Sequence, residues 1–211
     1  FKMRIFNADG SEAKMCGNGI RCVGKYVYDK GYTNKLHLRI ETLSGIRTLN
    51  LQVTDGKVDN VTVDMGKAAV QEDMRLLVDG AEAVCTPVTV GNPHAVLFVN
   101  DIDKVPLTTL GPKLERHTAF PDGVNVEFVQ VLGNNALRMR VWERGSGVTM
   151  ACGTGACASV MAAISKNYCC YDAPVAVHLD GGTLVIRIAS DNTVTMTGPA
   201  EIVYEGETKL C

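Results

Sequence analysis

Along most of this chain apolar residues alternate with polar ones at a period of two, as they do in strands that bury one face. Leu36, Leu38 and Ile40 alternate with His37, Arg39 and Glu41, and Leu137, Met139 and Val141 alternate with Arg138 and Arg140. Comparable patterns predict strands over 2–6, 48–53, 57–65, 83–90, 95–99, 124–131, 175–179, 183–189 and 193–197. Asp55-Gly56, Gly181-Gly182 and Asp191-Asn192 lie between them and predict hairpin turns, so the pairing is expected to be antiparallel. Only two segments read as strongly helical, from 17 to about 30 and from 153 to about 166, and each begins directly after a Cys.

Those two helix starts are copies of one pattern. Asp9-Gly10-Ser11 followed by Met15-Cys16-Gly17-Asn18-Gly19 is matched by Arg144-Gly145-Ser146 followed by Ala151-Cys152-Gly153-Thr154-Gly155, with one extra residue in the second copy. An internal duplication of strand, Gly-Ser turn, Cys-Gly-x-Gly and helix predicts an α+β fold of two pseudo-symmetric lobes. Each lobe is expected to be a curved, mostly antiparallel sheet wrapped around a central helix, with a cleft between them.

A glycine-rich turn that opens a helix leaves backbone N–H groups unpaired, with the positive end of the helix dipole behind them. A Cys there is expected to have its thiolate favoured and its pKa lowered. The same N–H groups can hold a carboxylate and stabilise the charge that develops when the neighbouring carbon loses a proton. If the lobes face each other, one thiolate removes a proton from one face of a carbon while the opposing thiol donates to the other, inverting a stereocentre without a cofactor. A single Cys is more often a small buried hydrophobe; here the duplication, the glycines and the helix starts outweigh that reading. The remaining cysteines, 22, 85, 157, 169, 170 and 211, sit in no comparable turn, and Cys22 and Cys157 are expected to pack inside the helices.

Composition narrows the classes. With 211 residues, 46% hydrophobic and 21% charged, the chain can bury a sizeable core. A formal charge of −2 without like-charge runs argues against nucleic acid as a partner. No run approaches the roughly 18 apolar residues that span a bilayer, and no secretion signal follows Phe1, so no membrane role is expected. Eight cysteines without a Cys-x-x-Cys pair, beside four histidines, argue against a structural metal site. Reduced thiols in a cytoplasmic protein are expected, although an even cysteine count also fits disulfides in a secreted one. Because Phe1 is not Met and a strand pattern is already under way at 2–6, the sequence is read as starting inside a longer gene product.

Six ordered segments resemble the diaminopimelate epimerase family: Arg4 to Glu12, Met15 to Cys22, Gly91-Asn92-Pro93-His94, Gly123 to Phe128, Trp142-Glu143-Arg144-Gly145 and Ala151 to Ala156. The resemblance implies cofactor-independent interconversion of LL- and meso-diaminopimelate in lysine and peptidoglycan-precursor biosynthesis. It implies that Cys16 and Cys152 are the acid/base pair and that the N–H groups of Gly17, Asn18, Gly153 and Thr154 cradle the carboxylate at the reacting carbon. It further implies that Asn7, Asn92, Asn125, Glu143 and Arg144 hold the distal amino-acid end. Those roles suit the chemistry: a planar guanidinium grips a carboxylate, Glu143 takes an ammonium, and the Asn amides serve either. Glu143-Arg144 also reads as a surface ion pair, and the Asn residues as turn or strand-edge residues. His94 is expected to order the cleft. A homodimer is implied by the family alone. The family's additional N-terminal segment, with a Gly-Asn-Asp-Phe motif, has no counterpart here, so the first lobe (1–60, completed by 198–211) is expected to be truncated, with 61–197 as the second lobe; if the protein itself starts at Phe1, weak or absent activity is expected.

Two rival readings stay open. One is another two-cysteine racemase of the proline or hydroxyproline type, which typically carries His where Asn18 stands. The other is a thiol redox or binding protein in which Cys16 and Cys152 form a disulfide.

Overall fold

The computed structural model describes residues 1–6, 10, 12–133 and 135–207. A short ribbon of β1 (Ile5–Phe6) and β2 (Glu12–Ala13) leads into α1 (Gly17–Asp29). Next come β3 (His37–Thr42), β4 (Gly45–Thr54) and β5 (Lys57–Lys67), then β6 (Ala69–Val70), β7 (Met74–Val78), β8 (Ala81–Thr89) and β9 (Pro93–Phe98). A 3-10 turn at Ile102–Lys104 precedes α2 (Leu107–Glu115), β10 (Asn125–Gly133), β11 (Ala136–Glu143) and β12 (Gly147–Thr149). The chain continues through α3 (Gly153–Ser165), β13 (Pro174–Leu179), β14 (Gly182–Ile188) and β15 (Thr193–Pro199). Among the described residues, all strands but β1 and β2 join one sheet, ordered β3-β4-β5-β15-β14-β13-β11-β10-β9-β8-β6, with β12 on β11 and β7 on β8.

The period-two reading holds along these strands. In β3 burial alternates strictly, with Leu38 and Ile40 inside, and in β14 Leu184, Ile186 and Ile188 face the core. Asp55 and Gly56 both take positive φ (50° and 74°) between Thr54 and Lys57, the two-residue turn their sequence predicts. The next hairpin turn differs by one residue. Leu179 pairs Gly182, so Asp180-Gly181 makes the turn and Gly182 already lies in β14.

Two strand pairs depart from the antiparallel expectation, β9 with β10 and β11 with β13. Parallel neighbours need a crossover, and each has one: α2 returns the chain from β9 to β10, and α3 from β11 to β13. β10 is accordingly covered on both faces. Val126 and Phe128 pack towards α2 with Leu107 and Leu114, while Val129 packs in the cluster that contains α3. The helix α2 escapes the sequence reading because Leu-Thr-Thr-Leu-Gly-Pro carries the two strongest helix breakers. Packing overrides propensity: a Cβ on Gly111 would lie 2.6 Å from Trp142, so only Gly lets α2 approach the sheet this closely.

The two long helices differ in burial. Eleven residues of α3 are buried, making it a core helix wrapped by sheet. α1 is amphipathic, burying Gly17, Ile20, Arg21, Gly24, Lys25 and Val27 against β4 and β5 and exposing Tyr26. β5 runs unbroken through residue 60 and pairs β15 antiparallel, so the strands around α1 and those around α3 form one continuous sheet. β15 ends at Pro199, residues 200–207 form no strand, and 208–211 lie outside the described residues.

Candidate active site

Cys16 and Cys152 occupy equivalent places. Each is the N-cap of its helix in extended backbone conformation, φ/ψ −138°/117° for Cys16 and −126°/110° for Cys152. Each carbonyl accepts the first helical hydrogen bond, from Ile20 and from Ala156, both at 3.0 Å. The helix starts abut: a Cβ on Gly17 would lie 3.7 Å from the Gly153 Cα, and one on Gly153 would lie 3.6 Å from the Gly17 Cα. Met196 of β15 fills the space beneath both glycines, and Asn18 Nδ2 donates across the junction to Ala151 O at 3.4 Å. Two helix N-termini therefore converge on one place, where an anion is favoured.

That junction forms the floor of a cleft of roughly 690 Å³. Its lining includes Cys16, Gly17, Asn18, Cys152, Gly153 and Thr154, with Asn92, Glu143 and Arg144 on the second half's side and Ser44, Arg47 and Lys14 on the first half's side. Most of the residues singled out in the sequence thus line one cavity. Asn7 lies outside the described residues, as do Asp9 and Ser11 of the first motif copy. Asn125 does not line the cleft. It is buried, Nδ2 donates to Pro93 O at 3.1 Å, and Oδ1 accepts from the Arg144 backbone N–H at 3.0 Å, so it ties the Asn92 wall to the Arg144 wall.

The cysteines differ in environment. Cys16 is half-buried and its sulfur accepts from Gly19 N–H at 3.4 Å. Cys152 is 5% exposed, and its sulfur lies 3.6 Å from Thr154 Oγ1. A lowered pKa at Cys152 is not what the structure carries. Burial pushes the Cys152 thiol well above its ordinary value, and Glu143 and Glu127 push it further, against the weaker pull of the Thr154 hydroxyl. Desolvation outweighs the helix dipole there. Among the described residues both cysteines are free thiols.

Behind Cys152 lies a polar chain that includes Glu127, assigned no role from the sequence. His94, buried as expected for an ordering residue, places Nδ1 2.7 Å from Glu127 Oε1 and Nε2 3.1 Å from Asn92 Oδ1. Each ring nitrogen of His94 thus faces one oxygen partner. Burial raises the pKa of Glu127, against the opposing pull of its contact with His94. Glu127 Oε2 has no partner among the described residues. The signal for Glu127 was present in the sequence: it is the one charged residue within the apolar run Val126 to Val129.

Glu143 ends β11 and Arg144 follows it, and a second missed residue holds them there. Glu115, at the end of α2, accepts from Trp142 Nε1 at 2.7 Å and from Gly145 N–H at 3.0 Å, gripping the chain on either side of the pair. Glu143 accepts from the Thr149 hydroxyl, and Arg144 Nη1 donates to Asp122 O at 2.9 Å.

Comparisons agree on what this architecture is. A family model described as diaminopimelate epimerase matches residues 1–71 and 86–203. The chain is 51% identical over 223 residues to a diaminopimelate epimerase of Phocaeicola vulgatus, covering 100% of this chain and 79% of that one. It is 49% identical over 220 residues to that of Bacillus licheniformis, covering 98% and 77%. Among solved structures it resembles a probable proline racemase from Agrobacterium radiobacter, with TM-score 0.75 and 16% identity over 97% of this chain and 72% of that one. It also resembles a hydroxyproline epimerase from Agrobacterium vitis, with TM-score 0.74 and 19% identity over 94% and 67%. These two likenesses show a shared fold, whereas the sequence relatives and the family model show the family. Two Cys-Gly-x-Gly helix starts meeting under one cleft, in a sequence half identical to such relatives, place this chain in the diaminopimelate epimerase family.

Proposed function

We propose that the chain catalyses the epimerisation of LL-diaminopimelate to meso-diaminopimelate by a two-cysteine acid-base mechanism that needs no cofactor. The observation that carries this reading is the pairing of two N-cap cysteines of the same backbone geometry on abutting helix starts beneath one cleft. The substrate carboxylate beside the reacting carbon is received by N–H groups of Gly17, Asn18, Gly153 and Thr154. The environment of Cys152 keeps it a thiol, the proton donor. Cys16, as thiolate, takes the α-proton; the electron pair left on carbon delocalises into the carboxylate, whose charge the two helix starts stabilise. Cys152 then delivers its proton to the opposite face, leaving Cys16 protonated and Cys152 as thiolate, and the reverse reaction uses them in exchanged roles.

In this reading the distal amino-acid end meets Asn92, Glu143 and Arg144, and Asn7 completes the contact. Asn125 acts through the hydrogen bonds that set the spacing of the two walls. The lobes are read as 1–60 with 198–211 and 61–197, and the assembly as a homodimer. The test is solvent deuterium incorporation at one α-carbon of diaminopimelate by fully reduced protein without additions. Exchange is expected in the wild type, and Cys16→Ala and Cys152→Ala are each expected to abolish epimerisation. Full turnover in either variant sinks the two-base scheme.

A further inference from the structure

Five residues after Cys16, α1 buries an arginine that the two-cysteine scheme does not use. Arg21 is 8% exposed. Its Nη1 donates to Gly17 O at 3.2 Å and lies 3.8 Å from Met196 Sδ, and its Nε donates to Pro199 O at 3.2 Å. None of the ion pairs among the described residues includes it. The other buried cation of α1, Lys25, has Asp29 at 2.9 Å. A guanidinium taken from water without a counter-charge is costly, and near a helix N-terminus the dipole repels it further.

The duplication breaks at this position. Five residues after Cys152 stands Cys157, a fully buried thiol whose pKa burial raises to about 12, and so a neutral group. Arg21 donates to the carbonyl of Gly17, the residue next to Cys16, at 3.2 Å, whereas the Glu143 carboxylate acts on Cys152. The two halves of the site are therefore polarised in opposite senses: a cation behind Cys16, the Glu143 carboxylate by Cys152. Other charged groups of the cleft are Lys14, Arg47, Glu143 and Arg144, all more exposed than Arg21 and so more screened.

We propose that Arg21 is a positioning residue whose buried guanidinium, without an ion pair among the described residues, supplies the field that seats negative charge at Cys16 and at the abutting helix starts. Its contacts with Gly17 O and Met196 fix that charge beneath the site and brace the methionine on which both glycines rest. An arginine suits the role because it stays charged when buried and is more weakly hydrated than an ammonium. The inference relies on the two-cysteine reading only for its bearing on turnover.

The test compares alkylation of Cys16 by anionic iodoacetate and neutral iodoacetamide in the full chain, with the exposed Cys22 replaced by Ser. Both reagents meet the same thiol, so the ratio of their rates reads local potential rather than folding or thiolate content. In the wild type the iodoacetate preference at Cys16 exceeds that at exposed Cys170. Arg21→Gln and Arg21→Met lower the Cys16 ratio by about five- to tenfold, and Arg21→Lys keeps it within about twofold. An unchanged ratio in a folded neutral variant overturns the proposal, and so does an equal loss in the Lys variant. If neither neutral variant folds, retention of the ratio in the Lys variant together with the wild-type preference supports the proposal, and absence of that preference overturns it. Epimerisation is followed alongside: kcat falls in the neutral variants and recovers in part with Lys. A wild type that exchanges no deuterium yet keeps an Arg21-dependent ratio refutes the assigned reaction and leaves this inference standing.

Discussion

The glycine three residues after each cysteine offers a matched pair of substitutions with opposite expected outcomes. At Gly155 a Cβ would lie 2.6 Å from Glu127 Oε1 and 3.2 Å from Glu127 Cγ. Glu127 has no exposed surface and is held by His94 at 2.7 Å, so it has nowhere to yield. Overpacking costs about 1–3 kcal/mol, and disturbing the buried His94 contact adds about 1–3 kcal/mol. Helix propensity returns about 1 kcal/mol when Gly becomes Ala, so Gly155→Ala is expected to lose about 3 kcal/mol net. At Gly19 a Cβ would meet Ile5 Cδ1 at 3.4 Å and Cys16 Cβ at 3.6 Å, both ordinary contacts, so the propensity gain stands and Gly19→Ala is expected to be neutral to about 1 kcal/mol stabilising. For a chain of this size 1 kcal/mol moves the thermal midpoint by roughly 2–4 °C. Calorimetry should therefore place Gly155→Ala about 6–12 °C below the wild type and Gly19→Ala at or slightly above it. Equal midpoints for the two variants, or the reverse order, would refute the claim that Glu127 is locked beneath α3.

Three further outcomes follow from the same geometry. Because the folded pKa of Glu127 is raised, the stability contributed by its neutral form is full at low pH and declines as pH rises through that folded pKa. Urea titrations of Glu127→Gln should thus show its stability gaining on the wild type as pH increases, and a pH-independent difference would contradict the assignment. Glu115→Ala removes acceptors from Trp142 Nε1 and Gly145 N–H and is expected to lose about 3 kcal/mol; steady-state kinetics should show KM raised more than kcat is lowered, since Glu143 and Arg144 are loosened while the cysteines are not. Cys157, with its pKa at about 12, should resist iodoacetamide in the native protein at pH 8 while exposed Cys22 and Cys170 react, and early labelling of Cys157 would show that α3 is not the closed core helix described.

Local pattern was enough to read much of this protein. Alternation gave the strands, because a strand with one buried face repeats every two residues wherever it pairs. The Cys-Gly-x-Gly copies marked both helix starts, since N-caps and the glycines that follow them are short-range features. What local pattern could not supply was anything settled by residues far apart in the chain. The parallel joins β9–β10 and β11–β13 depend on where α2 and α3 return the chain, and α2 itself exists because Gly111 docks on Trp142 in spite of Pro112.

The same division runs through the site. That Cys16 and Cys152 stand at equivalent helix starts was legible from the duplication, but their inequality was not, because it arises from burial and from neighbours supplied by other elements. Cys152 is raised by its burial and by Glu143 and Glu127 from β11 and β10; Arg21 meets Met196 and Pro199 of β15; Asn18 reaches Ala151 across 133 residues of chain. A residue's chemistry is written in its sequence, but its charge state depends on how much water and which charges the fold leaves beside it.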